Sequence, residues 1–209
     1  MGTYQDAKFY NDESWMGKGY YSPPFVRGYT FAWVRRFRQV AKVLAPDEEI
    51  LDLGCGSGIL AAFLWHKIEH RARFMGIDFN EPMIEKAREG NEAEGHQNAK
   101  FYVKSATDLP VILKGFWPDS LPTIVTAEML EHVEDDRAIV ESIPSGIRCV
   151  ITVPCHDDPA HVRWFPKIED ITKRYGEFFD GLKVQQFMSD FSGKLRRYQY
   201  DNICVGIRK

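Results

Sequence analysis

The stretch Ile50-Leu51-Asp52-Leu53-Gly54-Cys55-Gly56-Ser57-Gly58 decides the fold. An apolar run carries Asp52 near its end, and three glycines then stand at alternate positions. Glycine lets the backbone turn sharply and approach a ligand, because no Cβ stands in the way. A helical pattern follows at once, over 57–69. Strand, glycine turn and helix together make a nucleotide-binding βα unit, with backbone N–H groups facing the opening. The spacing is G-x-G-x-G, and Ile59 stands where a dinucleotide fingerprint would place its third glycine. That spacing disfavours a nicotinamide-dependent dehydrogenase.

Outward from this unit the chain alternates. Strands are expected at 49–53, 73–77, 100–104, 122–127 and 148–153, with helices at 57–69, 81–94 and 134–142 and an ill-defined connection at 109–120. Before them, Phe31, Val34, Phe37 and Val40 recur at helical spacing over 29–44, interleaved with Arg35, Arg36 and Arg38, which read as a solvated face. After Pro154 the pattern changes: a loop at 155–166, a short helix near 167–175, and strands at 182–188 and 201–207 that suit a hairpin. Strands alternating with helices predict an α/β, Rossmann-like, doubly wound, mostly parallel sheet.

Such sheets bind ligands outside the carboxyl ends of their strands. Asp78 ends the second strand candidate, where a carboxylate can accept both hydroxyls of a ribose; Phe79 follows it, and Asn80 is placed to cap the next helix ahead of Glu81-Pro82. After the third strand, Ser105-Ala106-Thr107-Asp108-Leu109-Pro110 forms a short acidic loop able to accept a hydrogen bond from an exocyclic amine. After the fourth come Ala127-Glu128-Met129-Leu130-Glu131-His132. If helical, this piece places Glu128, Glu131 and His132 on one face, as acid–base groups or metal ligands. After the fifth, the loop carries His156, His161 and Arg163, the last a candidate for holding an acidic group. His66, His70 and His96 lie away from the strand ends and receive no role.

The whole chain sets outer bounds. Its 209 residues, 44% hydrophobic, suit one domain with a small appendage. A net charge of -3 gives no global basic footprint, so nucleic acid is a disfavoured partner. Cys55, Cys149, Cys155 and Cys204 show no C-x-x-C spacing and read as reduced thiols of a cytoplasmic protein. No apolar run is long enough to span a bilayer, so no membrane partner is expected. The aromatic N-terminal segment, with Tyr10, Trp15, Tyr20, Tyr21 and Phe25 and a possible hinge at Met16-Gly17-Lys18-Gly19, can act as a lid over a pocket.

Together these motifs resemble the class I S-adenosylmethionine-dependent methyltransferases over roughly residues 45–209. The resemblance implies a seven-stranded sheet whose last strand inserts antiparallel beside the fifth and sixth. It implies S-adenosyl-L-methionine as cofactor, held by Asp52, Gly54, Cys55, Gly56, Asp78, Phe79, Thr107, Asp108, Leu109, Ala127 and Glu128. The segment Glu128 to His132 is similar to the E-x-x-E-H stretch of ubiquinone-biosynthesis O-methyltransferases. The expected domains are a lid segment and helix over 1–44 and a methyltransferase domain over 45–209. The expected activity is methyl transfer to an O or N atom of a small molecule, with His132, His161 and Glu128 as catalytic candidates and no metal assigned. Two rivals stay open. One is a metal-dependent RNA or nucleotide 2'-O-methyltransferase, in which His161 or His156 would join Glu128, Glu131 and His132 on the ion. The other is a catalytically inactive cofactor-binding partner.

Overall fold

In a computed structural model the described residues are 31–192 and 197–209. The N-terminal segment expected to act as a lid, with its hinge, lies outside them. A helix α1 (Phe31–Val43) precedes the first strand, and seven strands follow: β1 (Ile50–Leu53), β2 (Phe74–Asp78), β3 (Ala99–Val103), β4 (Thr123–Ala127), β5 (Arg148–Pro154), β6 (Phe179–Ser192) and β7 (Arg197–Arg208). They form one sheet in the order β3-β2-β1-β4-β5-β7-β6. β1 to β5 pair in parallel, and β7 runs antiparallel between β5 and β6. The expected fold class holds, including the inverted last strand. The terminal hairpin is longer than its sequence pattern suggests, because pairing continues past the apolar alternation and through two register shifts.

β1 is buried at every residue, as a central parallel strand covered on both faces must be. Its alternate side chains enter two cores. Leu51 and Leu53 join Met75, Ile77, Ile124 and Ile151 on one face. Ile50 joins Phe74, Val125 and Val150 on the other. The first core is closed by α4 (Leu109–Phe116), α5 (Asp136–Ser142) and α6 (Ile168–Tyr175). The second is closed by α1, α2 (Ile59–Ile68) and α3 (Glu81–Ala93). α2 buries every residue from Ile59 to Leu64, so it sits as an interior helix rather than a surface one. The ill-defined connection at 109–120 contains α4, whose helical continuation is set up by a Ser105–Asp108 capping box and by Pro110 in its first turn.

Asn80 caps α3 as expected: its side-chain oxygen accepts from Met83 N at 3.2 Å. Such a cap contributes about 1 kcal/mol. Two readings of charged residues are corrected. Arg36 is not on a solvated face; it is 6% exposed and turned inward with Val40 and Leu44. Arg163 is not open to an acidic ligand. Its guanidinium donates to the carbonyls of Leu130, Val133 and Glu134 and lies 3.6 Å from Asp136, so it pins the loop to the end of β4. Asp136 itself is fully buried and accepts from Tyr175 Oη at 2.5 Å and Arg174 Nε at 2.7 Å, joining α5 to α6.

Candidate active site

The strand order reverses between β1 and β4, and the glycine turn lies at that switch point. Gly54, Gly56 and Gly58 all have positive φ, at 73°, 52° and 77°. Gly54 and Cys55 both donate their N–H to Ile77 O, at 2.8 and 2.9 Å, which bends the chain across the end of β2. A Cβ on Gly54 would stand 2.4 Å from Met129 Cγ, so this position needs glycine for packing within the protein. A Cβ on Gly56 would meet no atom of the described residues within 4 Å. The turn therefore keeps open space above Gly56.

Asp78 faces the same space. Its Oδ2 accepts from Gly56 N at 3.0 Å and its Oδ1 from Asn80 N at 2.9 Å. Each carboxylate oxygen has a second lone pair for a diol. Burial raises the Asp78 pKa, against the lowering effect of these backbone donors. Asp52, deeper in the fold, is 2% exposed with Oδ1 unpartnered, and burial holds its pKa well above the ordinary range. Phe79 presents its ring at the rim, 44% exposed. Thr107 and Asp108 lie exposed on the 3-10 turn after β3, where the Asp108 carboxylate already accepts from Ser105 N at 3.4 Å. Leu109 is fully buried, so it shapes the loop from below. Thr107 also walls a cavity of about 350 Å³ shared with Val133, Ile139 and Ser142.

Beyond β4 the arrangement departs from expectation. The piece is not a helix carrying three ligating residues on one face. Glu128 has φ 56°, an uncommon conformation for a non-glycine residue, and only Leu130–His132 makes a single 3-10 turn. Glu128 follows Ala127 at the strand end and points to Arg36, with Arg36 Nη2 3.0 Å from Glu128 Oε2. The same Nη2 donates to Asp201 Oδ2 at 2.5 Å, and Arg36 Nε donates to that oxygen at 3.1 Å. Burial alone would lower the Arg36 pKa, but Glu128 and Asp201 leave it raised. Burial drives Glu128 well upward despite Arg36, and pushes Glu131 up to about 8.

Glu131 instead turns toward the histidines. Glu131, His132 and His161 each offer a ligating atom, all within 4.8 Å of one another. His132 Nδ1 lies 2.9 Å from Ala160 O, and a carbonyl can only accept, so this nitrogen carries the proton. Nε2 then holds a lone pair, 3.7 Å from Glu131 Oε1. His161 Nδ1 bonds His156 O at 3.3 Å by the same logic, and its ring stands edge-on to His132 with centroids 5.0 Å apart. Burial lowers the pKa of both imidazoles, and their proximity lowers His161 further. Both are neutral at neutral pH. The loop that delivers His161 is built by Asp158, which accepts from Ala160 N at 2.9 Å, and by Val162 N donating to Glu131 O at 2.9 Å.

The sequence reading missed Arg36 and Asp201. Arg36 shares the i, i+4 row of Val40 and Leu44, which placed it inward. Asp201 and Asn202 are polar residues of β7 beside β5, and both are fully buried.

The seven-stranded sheet, with its last strand inverted and a glycine turn at the switch point, is a Rossmann-like methyltransferase fold. Residues 50–145 match the family model described as a methyltransferase domain. Ubiquinone biosynthesis O-methyltransferase from Xanthomonas campestris pv. campestris is 30% identical over 108 residues, 52% of this chain and 42% of that protein. The chain thus spans under half the length of this relative. Magnesium protoporphyrin IX methyltransferase from Synechocystis PCC 6803, solved with S-adenosylmethionine bound, superposes with a TM-score of 0.59 at 16% identity, covering 99% of this chain and 100% of that one. Phosphoethanolamine N-methyltransferase 2 from Haemonchus contortus gives a TM-score of 0.65 at 13% identity, covering 97% and 59%. No helix among the described residues is long and apolar enough to cross a membrane.

Proposed function

We propose that this chain transfers the methyl group of S-adenosyl-L-methionine to a hydroxyl oxygen of a small molecule in the cytoplasm. The carrying observation is the pairing of two features at one sheet edge. Space above Gly56 is free of atoms of the described residues, and a neutral imidazole with a defined tautomer, on His132, follows β4 at the same strand-end edge. Residues 45–209 would form the catalytic domain, with 1–44 supplying a helix and a lid.

The residues present fit the cofactor. Backbone N–H groups of the glycine turn, the Asp78 carboxylate and the acidic turn at Thr107-Asp108 would hold its polar groups, with Phe79 and Ala127 as apolar walls and Leu109 supporting the turn from below. When bound, the cofactor supplies an activated methyl group on a sulfonium, the hard part of the chemistry. The chain supplies position and proton handling. His132 Nε2 accepts the proton of the acceptor hydroxyl, while Nδ1–H remains on Ala160 O and fixes the ring. His161 borders the acceptor side of that ring. Glu128 acts through position: held by Arg36, it fixes the turn at the end of β4. The similarity to ubiquinone biosynthesis O-methyltransferase favours oxygen over nitrogen. A net charge of -3 favours a small acceptor over a nucleic acid.

A second reading, metal-dependent transfer, draws support from the Glu131, His132 and His161 cluster. Against it, Glu128 is drawn away to Arg36 and stands outside that cluster. The first test is calorimetric titration with S-adenosylhomocysteine on wild type and Asp78→Ala. Micromolar binding that is lost in the variant supports the cofactor site, and an acceptor screen with and without chelator then separates the two readings. Absence of binding to a folded wild type overturns both.

A further inference from the structure

A second group of metal-ligating side chains lies on α2 and the loop after α3, outside the site described above. We propose that His66, Glu94 and His96 form a binding site for a late first-row divalent cation, with Zn2+ as the working case. This site does not depend on the methyltransferase reading.

The backbone builds it. Gly95, with φ 71°, reverses the chain just after α3, so that Glu94 and His96 flank the reversal. Asn91 then locks His96: His96 N donates to Asn91 O at 3.0 Å, and Asn91 Nδ2 donates to His96 O at 2.8 Å. His66 reaches across from the last turn of α2, with Nε2 3.2 Å from Glu94 Oε2. One ligating atom from each of the three lies within 4.8 Å of the others.

A simple ion pair between His66 and Glu94 would explain two of these residues. It does not explain His96, which is 3% exposed with Nε2 buried and unpartnered. Buried polar atoms without partners are rare and ask for a reason. Burial, and then the nearness of His66, lower the pKa of His96, so it is neutral, the form that ligates metals. Trp65 packs against its ring, tilted by 33° with centroids 4.4 Å apart. Arg71, over the far-reaching Trp65 ring at 3.9 Å, is the nearby cation that opposes binding, and the Glu94 carboxylate offsets it. Two imidazoles and one carboxylate suit Zn2+ and its neighbours, with one position left for water. Tetrahedral zinc with bonds near 2.0–2.1 Å spaces its ligands about 3.3 Å apart. The His66–Glu94 edge is already 3.2 Å, and these two side chains are the partly exposed ones, free to close on the fixed His96. Bound metal would staple the far end of α2 to the far end of α3. The near ends of those helices begin at Gly58 and Asn80, beside the glycine turn and Asp78.

The test is Zn2+ titration of the untagged full chain by calorimetry, with thermal unfolding in Zn2+ and in chelator. His161→Ala serves to remove the active-site cluster from the count. The expected result is saturable Zn2+ binding and a raised Tm in both wild type and His161→Ala. His66→Ala and Glu94→Gln, which alter partly exposed side chains and keep the fold in chelator, each weaken binding at least about tenfold. Zn2+ affinity unchanged in both of these variants, or no saturable binding by the folded wild type, overturns the proposal.

Discussion

Gly56→Ala separates space kept for a ligand from space needed by the protein. Among the described residues an added Cβ meets nothing within 4 Å, so their packing is undisturbed. The remaining cost is conformational. A φ of 52° is left-handed, and an L-residue there loses about 1–2 kcal/mol. In a chain of this size that corresponds to a fall in Tm of roughly 2–8 °C. Ligand binding suffers more, because the methyl occupies the volume above the turn where the cofactor backbone must pass. S-adenosylhomocysteine affinity should drop at least about tenfold, or about 1.4 kcal/mol. Gly54→Ala is the contrast: its Cβ would stand 2.4 Å from Met129 Cγ, so it destabilises the protein whether or not ligand is present. The assay is a pair of thermal melts for each variant, with and without S-adenosylhomocysteine, backed by calorimetry. Wild type gains Tm with ligand by mass action. Gly56→Ala should lose most of that gain while keeping most of its ligand-free stability. Wild-type affinity in Gly56→Ala would refute the assignment of this space to the cofactor.

Three further outcomes follow from the polar groups. With an acceptor in hand, His132→Asn should lower kcat by roughly 10²–10⁴, about 3–5 kcal/mol, with S-adenosylhomocysteine affinity unchanged; the wild-type rate should climb with pH through a pKa below 6.5 and then level, and the variant should lack that limb. Arg36→Met strands the carboxyls of Glu128 and Asp201 in the interior and should cost about 3–5 kcal/mol in a urea titration. Glu131 ionises at 4.5 when unfolded but keeps its proton to about 8 when folded, so between those values the folded state binds the extra proton and stability falls as pH rises. Glu131→Gln should flatten that slope between pH 4.5 and 8, as read by melts at a series of pH values.

The parallel strands were legible because a strand covered on both faces must be apolar throughout, and Ile50–Leu53, Thr123–Ala127 and Arg148–Pro154 are short apolar runs between turn signals. The glycine turn and Asp78 were legible for a related reason: a backbone that must turn under a ligand leaves a glycine pattern at a fixed place. α4 escaped notice because Leu109–Phe116 begins with a proline in its first turn and carries Gly115, residues that read locally as loop. The segment after β4 was misjudged for a deeper reason. Spacing of Glu128, Glu131 and His132 suggests one helical face, but Glu128 has φ 56° and pairs with Arg36 on α1, far away in sequence. No local pattern records that.

Those partners explain why charged residues persist in so apolar a place. Arg36, Glu128, Glu131 and Asp201 come from the first described helix, the end of β4, the turn after it and the last strand. A buried ion pair is weak evidence for stability, since apolar groups of the same shape often serve as well or better. What apolar groups cannot do is specify direction. Arg36 Nη2 reaches Asp201 at 2.5 Å and Glu128 at 3.0 Å at once, so the guanidinium fixes where β4 ends relative to β7. Glu131 and His132 follow within the next four residues, and the position of His132 Nε2 depends on that fixed point. On the proposed reading, the network serves the placement of His132 as the base. Arg36→Lys keeps the charge but loses the planar fork. It should retain more stability than Arg36→Met and still lose turnover through displacement of His132. Full turnover in a stable Arg36→Lys variant would show that charge alone suffices and that the geometry of the fork has no part in the reaction.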